Sequence, residues 1–443
     1  MHRFLPALVL FGWAGLASAQ VTYSKEIARI FQAKCNQCHR DGDVAPMALK
    51  DYETAVQWSR DILNTVVNGS MPPWKPVPGY GDFRDSRALT DDEKQTLIDW
   101  LSGDMPEGDP ADLPLPVESN SEWPLGQPDV VLQMAQGFTP PIGQDVYRCF
   151  VIPTTMTEDT DMTAIDFIPG DREIVHHIIM YQDTTGTAQK LDGVDGQPGY
   201  TCFGGPGIDL SLQTDVIAGW APGQRLAFLP DGIGIQVKKG GAFIMQVHYS
   251  PSRSTGEDVT RIGLYRATSK VKKHLFEVPI VNDTFTIPAG AANYVVKADF
   301  TIPLFFDAQT INIYPHMHLL GRQIQVTVDV PGKDTQPMIY ENDWDFRWQG
   351  SYTYNQPVSL KSGSTVHLTC TFDNSENNTN NPNNPIVAVG YGERTIDEMC
   401  IALAGVTFDN EALIAPFLSK KPFPRISTSV EPGPIKPSPI THR

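Results

Sequence analysis

The chain has 443 residues, 41% of them apolar, and a net charge of 34 − 51 = −17. That length suits two or three domains with substantial cores. The acidity excludes nucleic acid as a natural partner and fits a solvated surface or a basic redox partner.

Residues 1–19 read as a secretory signal. His2 and Arg3 give a basic start, Leu5 to Leu16 an apolar run, and Ala17-Ser18-Ala19 a small-residue cleavage site. The run is too short for a membrane span, and no later stretch approaches one. The mature chain is therefore expected outside the cytoplasm, periplasmic or secreted. From 22 to 104 the pattern is helical. Ile27, Ile30 and Phe31 lead into Cys35, and Val56, Ile62, Leu63 and Val66 recur at helical intervals. Thr90 with Glu93 forms a capping box that opens a third helix. Residues 105–128 are punctuated by prolines and read as a stiffened linker. From 129 onward, short alternating or apolar runs lie between Gly, Pro, Asn and Asp turns, the pattern of antiparallel β-sandwiches. Their extent predicts two, over 129–278 and 279–418, and the Pro-rich tail 419–443 is expected to be disordered. The expected fold class is thus multidomain: a small all-α domain followed by two antiparallel, jelly-roll-like β-sandwiches.

The chain has ten His. Two lie in the signal region and the tail, and six of the other eight fall into a few tight constellations. Cys35-Asn36-Gln37-Cys38-His39 is the covalent haem-attachment pattern, in which two thiols bond the haem and His39 takes the iron. A zinc or thioredoxin-like CxxC lacks the adjoining His. The remaining constellations are His176-His177, His248, His316-Met317-His318 and Met399. His and Met are borderline or soft donors that suit both oxidation states of copper. His316 and His318 share a face if they lie on a strand. Adjacent His176 and His177 point to opposite faces of a regular strand, so joint ligation needs a bulge or a strand end. Cys149, Cys202, Cys370 and Cys400 are an even number in an oxidising compartment and imply two disulfides, for which sequence permits three pairings.

The N-terminal segment resembles small class I cytochrome c domains. There the second iron ligand is a Met followed closely by Pro, which Met71-Pro72-Pro73-Trp74 fits better than Met47. Pro46 matches the proline whose carbonyl orients the proximal His. Residues 128–415 resemble the copper type II, ascorbate-dependent monooxygenases, the family of peptidylglycine α-hydroxylating monooxygenase and dopamine β-monooxygenase. The resemblance rests on Asp166 to Pro169 leading to Val175-His176-His177, on Gln246 to Tyr249, and on Pro315 to Gly321. Trp344 to Gln349 and Asp397 to Cys400 complete it.

It implies two copper ions. His176, His177 and His248 would hold an electron-relay copper. His316, His318 and Met399 would hold the catalytic copper where O2 binds, with one site in each sandwich across a solvent-filled cleft. It also implies the disulfides Cys149–Cys202 and Cys370–Cys400, and places Tyr147 and Gln246 near the relay site. The implied activity is hydroxylation of a C–H bond in a small-molecule substrate with O2 and two electrons per turnover. The electrons would come from ascorbate or a periplasmic donor, supplied or relayed here by one covalent haem c. The alternative is a non-catalytic periplasmic haem and copper electron-transfer or copper-binding protein, but six retained donors favour catalysis.

The match breaks at the substrate clamp. Peptide-amidating members carry an Arg two residues before the His pair, and an Asn and a Tyr after the Met. This chain has Tyr314, Ile401 and Leu403 there, so a peptide carboxylate is disfavoured. No acidic partner for a catecholamine is evident either, and a small, apolar substrate is expected.

Overall fold

The structure, a computed structural model, describes residues 20–40, 45–115, 122–202 and 205–418, except 210, 212, 213, 215, 223, 225, 226 and 250–254. The expected signal, the tail and positions 116–121 of the linker lie outside the described residues. The chain divides into two units. One comprises 1–41, 47–72 and 87–117; the other comprises 42–46, 73–86 and 118–443.

The first unit is a small helical region. A π-helical turn, Tyr23–Ile27, runs into α1 (Ala28–Lys34), followed by α2 (Tyr52–Gln57), α3 (Ser59–Val67) and α4 (Asp91–Ser102). The helical pattern over 52–67 is broken at Trp58, which separates α2 from α3. The Thr90–Glu93 capping box is formed in both directions. Ile27, Phe31, Leu97 and Trp100 fill the core. Part of the expected linker belongs here: Trp100 Nε1–H donates to the Pro106 carbonyl and Tyr23 N–H does the same. No described helix is long and apolar enough to cross a membrane.

The second unit contains the strands. Ten come from the first sandwich: β1 (Val130–Gln133), β2 (Val146–Pro153), β3 (Thr160–Ile168), β4 (Val175–Asp183), β5 (Tyr200–Thr201), β6 (Ala218–Trp220), β7 (Ile233–Val237), β8 (Ala242–Tyr249), β9 (Arg261–Arg266) and β10 (Lys273–His274). Their sheets run β1-β9-β3-β7-β10 and β5-β2-β8-β4-β6. The second sandwich follows with β11 (Phe276–Asn282), β12 (Thr286–Ile287), β13 (Tyr294–Thr301), β14 (Ala308–His316), β15 (Gly321–Asp329), β16 (Gln336–Glu341), β17 (Tyr352–Leu360), β18 (Thr365–Phe372), β19 (Val389–Gly390) and β20 (Cys400–Phe408). Its main sheets run β11-β20-β14-β17 and β13-β18-β15-β16. Pairing is antiparallel throughout these two sheets, and the strands support a sandwich-like description without barrel closure. A short helix, α5 (Glu411–Leu418), ends the described chain where the sequence pattern gave only strands.

Two segments outside the strands complete these cores. Trp123, expected in the linker, is 1% exposed and packs where a side chain at Gly263 of β9 would collide with its ring. Pro73–Ser86 belongs to the strand-bearing unit. Val77 N–H donates to Tyr340 O and Arg84 N–H to Thr353 O, both at 2.8 Å. Phe83 is buried against Trp74, Tyr352 and Tyr354.

His274 ties the two sandwiches together. Its Nδ1 meets Glu411 at 2.8 Å on α5 and its Nε2 meets Asp161 at 3.2 Å on β3, with Gln236 beside it. The Glu411 bond leads the causes that raise its pKa above 6.5. A raised histidine pKa stabilises fully below the unfolded value, and that contribution is lost as pH rises through the folded value. His274→Gln should therefore lower stability by roughly 1–2 kcal/mol near pH 6. Thermal unfolding from pH 6 to 9 should show the wild-type advantage shrinking; a constant gap would exclude the protonated clamp.

Candidate metal centres

The first histidine set is built on β4 and β8. The pairing register shifts between Val175 and His177, so His176 is the extra residue of a β-bulge. The bulge resolves the awkward adjacency of the two histidines: His177 pairs with His248 while His176 is turned to the same side. Candidate donor atoms of His176, His177 and His248 lie within 4.8 Å of one another. His176 Nδ1 and His248 Nδ1 stand 3.2 and 3.4 Å from His177 Nδ1. His248 Nε2 is bonded to the Asp145 carboxylate, which also accepts from Thr395 Oγ1 at 2.6 Å. Donation from Nε2 leaves the Nδ1 lone pair of His248 facing its neighbours. Burial drives the His176 pKa down to about 3 and holds His177 well below its usual value. Burial pushes Asp145 up, but its bonds to His248 and Thr395 hold the carboxyl below its ordinary range. Three imidazoles whose ring nitrogens converge fit a bound metal ion, copper included.

The second set sits at the end of β14. Asn312, Tyr314 and His316 are half-buried on one face, while Ile313, Pro315 and Met317 are buried on the other. His316 is the last strand residue, and His318 lies just beyond it. His316 Nδ1 meets Gln349 Oε1 at 2.6 Å. The same oxygen accepts from Tyr314 Oη at 3.1 Å, while Gln349 Nε2 donates to Phe346 O at 2.8 Å. His318 Nδ1 donates to the Asp397 carbonyl at 3.0 Å. Both histidines thus carry the proton on Nδ1 and keep Nε2 as a lone-pair donor. Burial lowers their pKa values to about 3 and about 4. Glu398, fully buried, accepts the backbone N–H groups of His318, Leu320 and Met399 at 2.9, 2.6 and 3.2 Å. Burial raises its carboxyl to about 8. Met399 and both histidines line one cavity.

That cavity, about 340 Å³, is walled by both sandwiches and also takes in His177. Phe346 lies between the two sets, stacked on His176 at 5.1 Å and edge-on to His318 at 5.8 Å. Tyr147 stacks on His248 at 4.2 Å and donates to Glu393 O at 3.2 Å. Gln246 turns away from the histidines and donates to Cys202 O at 2.9 Å. Tyr314, Ile401 and Leu403 line the cavity.

Cys149 is bonded to Cys202 and Cys370 to Cys400, the latter bridge ending beside Met399. Cys35 and Cys38 take part in neither disulfide. Burial pushes Cys35 up to about 12, unlike the reactive thiolate of a redox CxxC. His39 Nδ1 donates to a backbone carbonyl at 3.2 Å, that of Met47 where the sequence pattern pointed to Pro46, and leaves Nε2 free for a metal. Met71 follows α3, its N–H bonded to Thr65 O.

Sequence reasoning passed over Asp145, Phe346, Gln349 and Glu398 as working residues. Three of them lie inside motifs it had marked, at Trp344–Gln349 and Asp397–Cys400. Asp145 had no signal beyond standing two residues before Tyr147.

Residues 280–404 match the family model for the copper type II ascorbate-dependent monooxygenase, C-terminal domain. Residues 24–101 match that for cytochrome C oxidase, cbb3-type, subunit III. DBH-like monooxygenase protein 2 of Mus musculus is 27% identical over 253 residues, 53% of this chain and 38% of that protein. Dopamine beta-hydroxylase of Bos taurus is 24% identical over 252 residues, 52% of this chain and 38% of its own length. The matches thus span less than half of these relatives. Among solved structures, the major capsid protein P2 of bacteriophage PM2 aligns at 9% identity over 63% of this chain and 97% of its own, with a TM-score of 0.24 that carries no argument.

Removing the carboxylate behind a metal-bound histidine typically costs about 10–100-fold in affinity. Asp145→Ala should weaken copper at the first set by that factor. Competitive copper titration followed by paramagnetic resonance measures it, and unchanged affinity would show that Asp145 does not orient His248.

Proposed function

We propose that this protein is a copper monooxygenase that hydroxylates a C–H bond of a small organic substrate with O2, with electrons supplied or relayed by a fused c-type haem. One observation carries the reading: His177 of the first set and His316 and His318 of the second line a single cavity, with Phe346 packed against both His176 and His318. A metal-binding protein built only for storage has no need of a second donor set facing the first across a substrate-sized space.

In this reading His176, His177 and His248 hold the electron-relay copper, and His316, His318 and Met399 hold the copper at which O2 reacts. Copper at these positions supplies one-electron redox chemistry and O2 activation. The chain's own residues do the rest. Asp145, Gln349 and the Asp397 carbonyl fix which nitrogen of each histidine is free. Glu398 holds the His318 and Met399 segments together. The apolar walls around Ile401 and Leu403 exclude water from the reacting C–H bond.

The haem would be bonded to Cys35 and Cys38, with His39 and Met71 on the iron. Two cysteines three residues apart that form no disulfide, and a His39 tautomer with Nε2 available, support that assignment. The export signal read from the sequence and the proposed covalent haem support a working protein in the periplasm or outside the cell. Ascorbate or a periplasmic donor would refill the haem.

Copper-loaded protein should consume O2 with a reductant and incorporate labelled oxygen into product. His248→Ala and Met399→Ala should each bring the stoichiometry from two coppers toward one and suppress turnover; two coppers and full turnover in both would refute the assignment. Protein matured with haem should retain it through acid–acetone extraction, and Met71→Ala should abolish the Met-ligated spectrum. Haem that stays reduced throughout copper turnover would show that it is not the donor.

A further inference from the structure

The cavity has a second polar point, far from the histidines, that the copper chemistry does not use. Glu277 on β11, Gly405 on β20 and Asn312 on β14 lie in one row across three neighbouring strands, with Glu277 paired to Gly405 and Gly405 paired to Asn312. The side chains of Glu277 and Asn312 both reach the cavity wall. They meet across the central strand only because residue 405 is glycine: a Cβ there would stand 2.4 Å from Asn312 Oδ1. That oxygen instead accepts the Gly405 N–H at 3.1 Å. The amide nitrogen of Asn312 is therefore the group that donates to the Glu277 carboxyl. A β-bulge between Thr310 and Asn312 turns this stretch of β14.

The Glu277 carboxyl thus has Asn312 as its hydrogen-bonding neighbour and faces the cavity. Among the described residues no Lys or Arg lines the cavity, and Pro279, Val281, Leu275 and Leu403 add apolar surface to its wall. Burial pushes the Glu277 carboxyl up to about 7, as expected for a carboxyl lacking a cation. Asn312 stands four residues from His316 on the same face of β14, about 13 Å at strand spacing. Tyr314 and Leu403 line the interval.

We propose that Glu277 and Asn312 anchor the head group of the substrate, a hydrogen-bond donor such as an alcohol or a protonated amine. The head group would terminate an elongated apolar body whose far end reaches His316, His318 and Met399. The anchor sets specificity by length as well as polarity. It rests on the monooxygenase reading for which bond is attacked, but not for binding itself.

The test uses full-length, copper-free protein. The probes are straight-chain 1-alkanols, 1-alkylamines and alkyl methyl ethers of four to twelve carbons, with binding read by calorimetry and by Trp fluorescence. Trp220 lines the cavity. Alkanols and amines of about eight to ten carbons should bind about tenfold more tightly than ethers of equal length. Glu277→Leu should erase that advantage and leave ether affinity unchanged, which also shows the cavity to be folded. Glu277→Gln should keep the preference for alkanols and lose that for amines. Equal affinity for alkanols and ethers in the wild type overturns the proposal, as does a donor preference that survives Glu277→Leu. If Glu277→Leu also loses the ethers, Glu277→Gln decides: an intact amine preference overturns the anchor. Because no copper is present, failure here leaves the oxygen chemistry standing, and absent O2 consumption in copper-loaded protein leaves the anchor standing.

Discussion

One buried carboxyl holds the second histidine pair in place. Glu398 has no cation beside it, yet it takes three backbone N–H groups from two separate chain segments. Neither the turn after β14 nor the start of β20 could present those N–H groups to the interior unless something accepted them. The carboxyl therefore locks residues 318–320 to residues 398–399, and the Cys370–Cys400 bridge fixes the same end of β20 to the opposite sheet. His318 and Met399 owe their proximity to this clamp rather than to any contact between their side chains.

The two sandwiches present their histidines by different routes. In the first, a bulge brings neighbouring residues to one side, and a carboxylate behind His248 leaves Nδ1 forward. In the second, a strand end places alternate residues together, and an amide and a carbonyl behind His316 and His318 leave Nε2 forward. Both routes fix which ring nitrogen faces the site. At His316 and His318 desolvation lowers the pKa and outweighs the acceptors behind the rings, which raise it while fixing the remaining proton.

Much of this was legible in the sequence because it is local. The capping box at Thr90, the alternation along β14 and the need for a bulge at His176 follow from spacing alone. Other features arise from partners distant in the chain. Trp123 looked like a linker residue because its burial depends on Gly263. Glu277 drew no notice in the sequence; its place in the cavity depends on strand order. An acidic wall group was not expected, and it appears only when β11, β20 and β14 are set side by side. The helix α5 escaped notice because Glu411–Leu418 is short and carries Pro416.

The excursion of Pro73–Ser86 into the strand-bearing unit bears on modularity. This segment lies between α3 and α4 in the chain, yet its aromatic residues complete the packing over β17. Recombination that joined a helical module to the sandwiches by a single crossover near residue 120 would not produce this arrangement. The two parts are interleaved along the gene, so separating them by one cut leaves the sandwiches with an uncovered patch where Phe83 belonged. Inheritance of the two parts is thereby coupled, and neither can be exchanged without rebuilding part of the other.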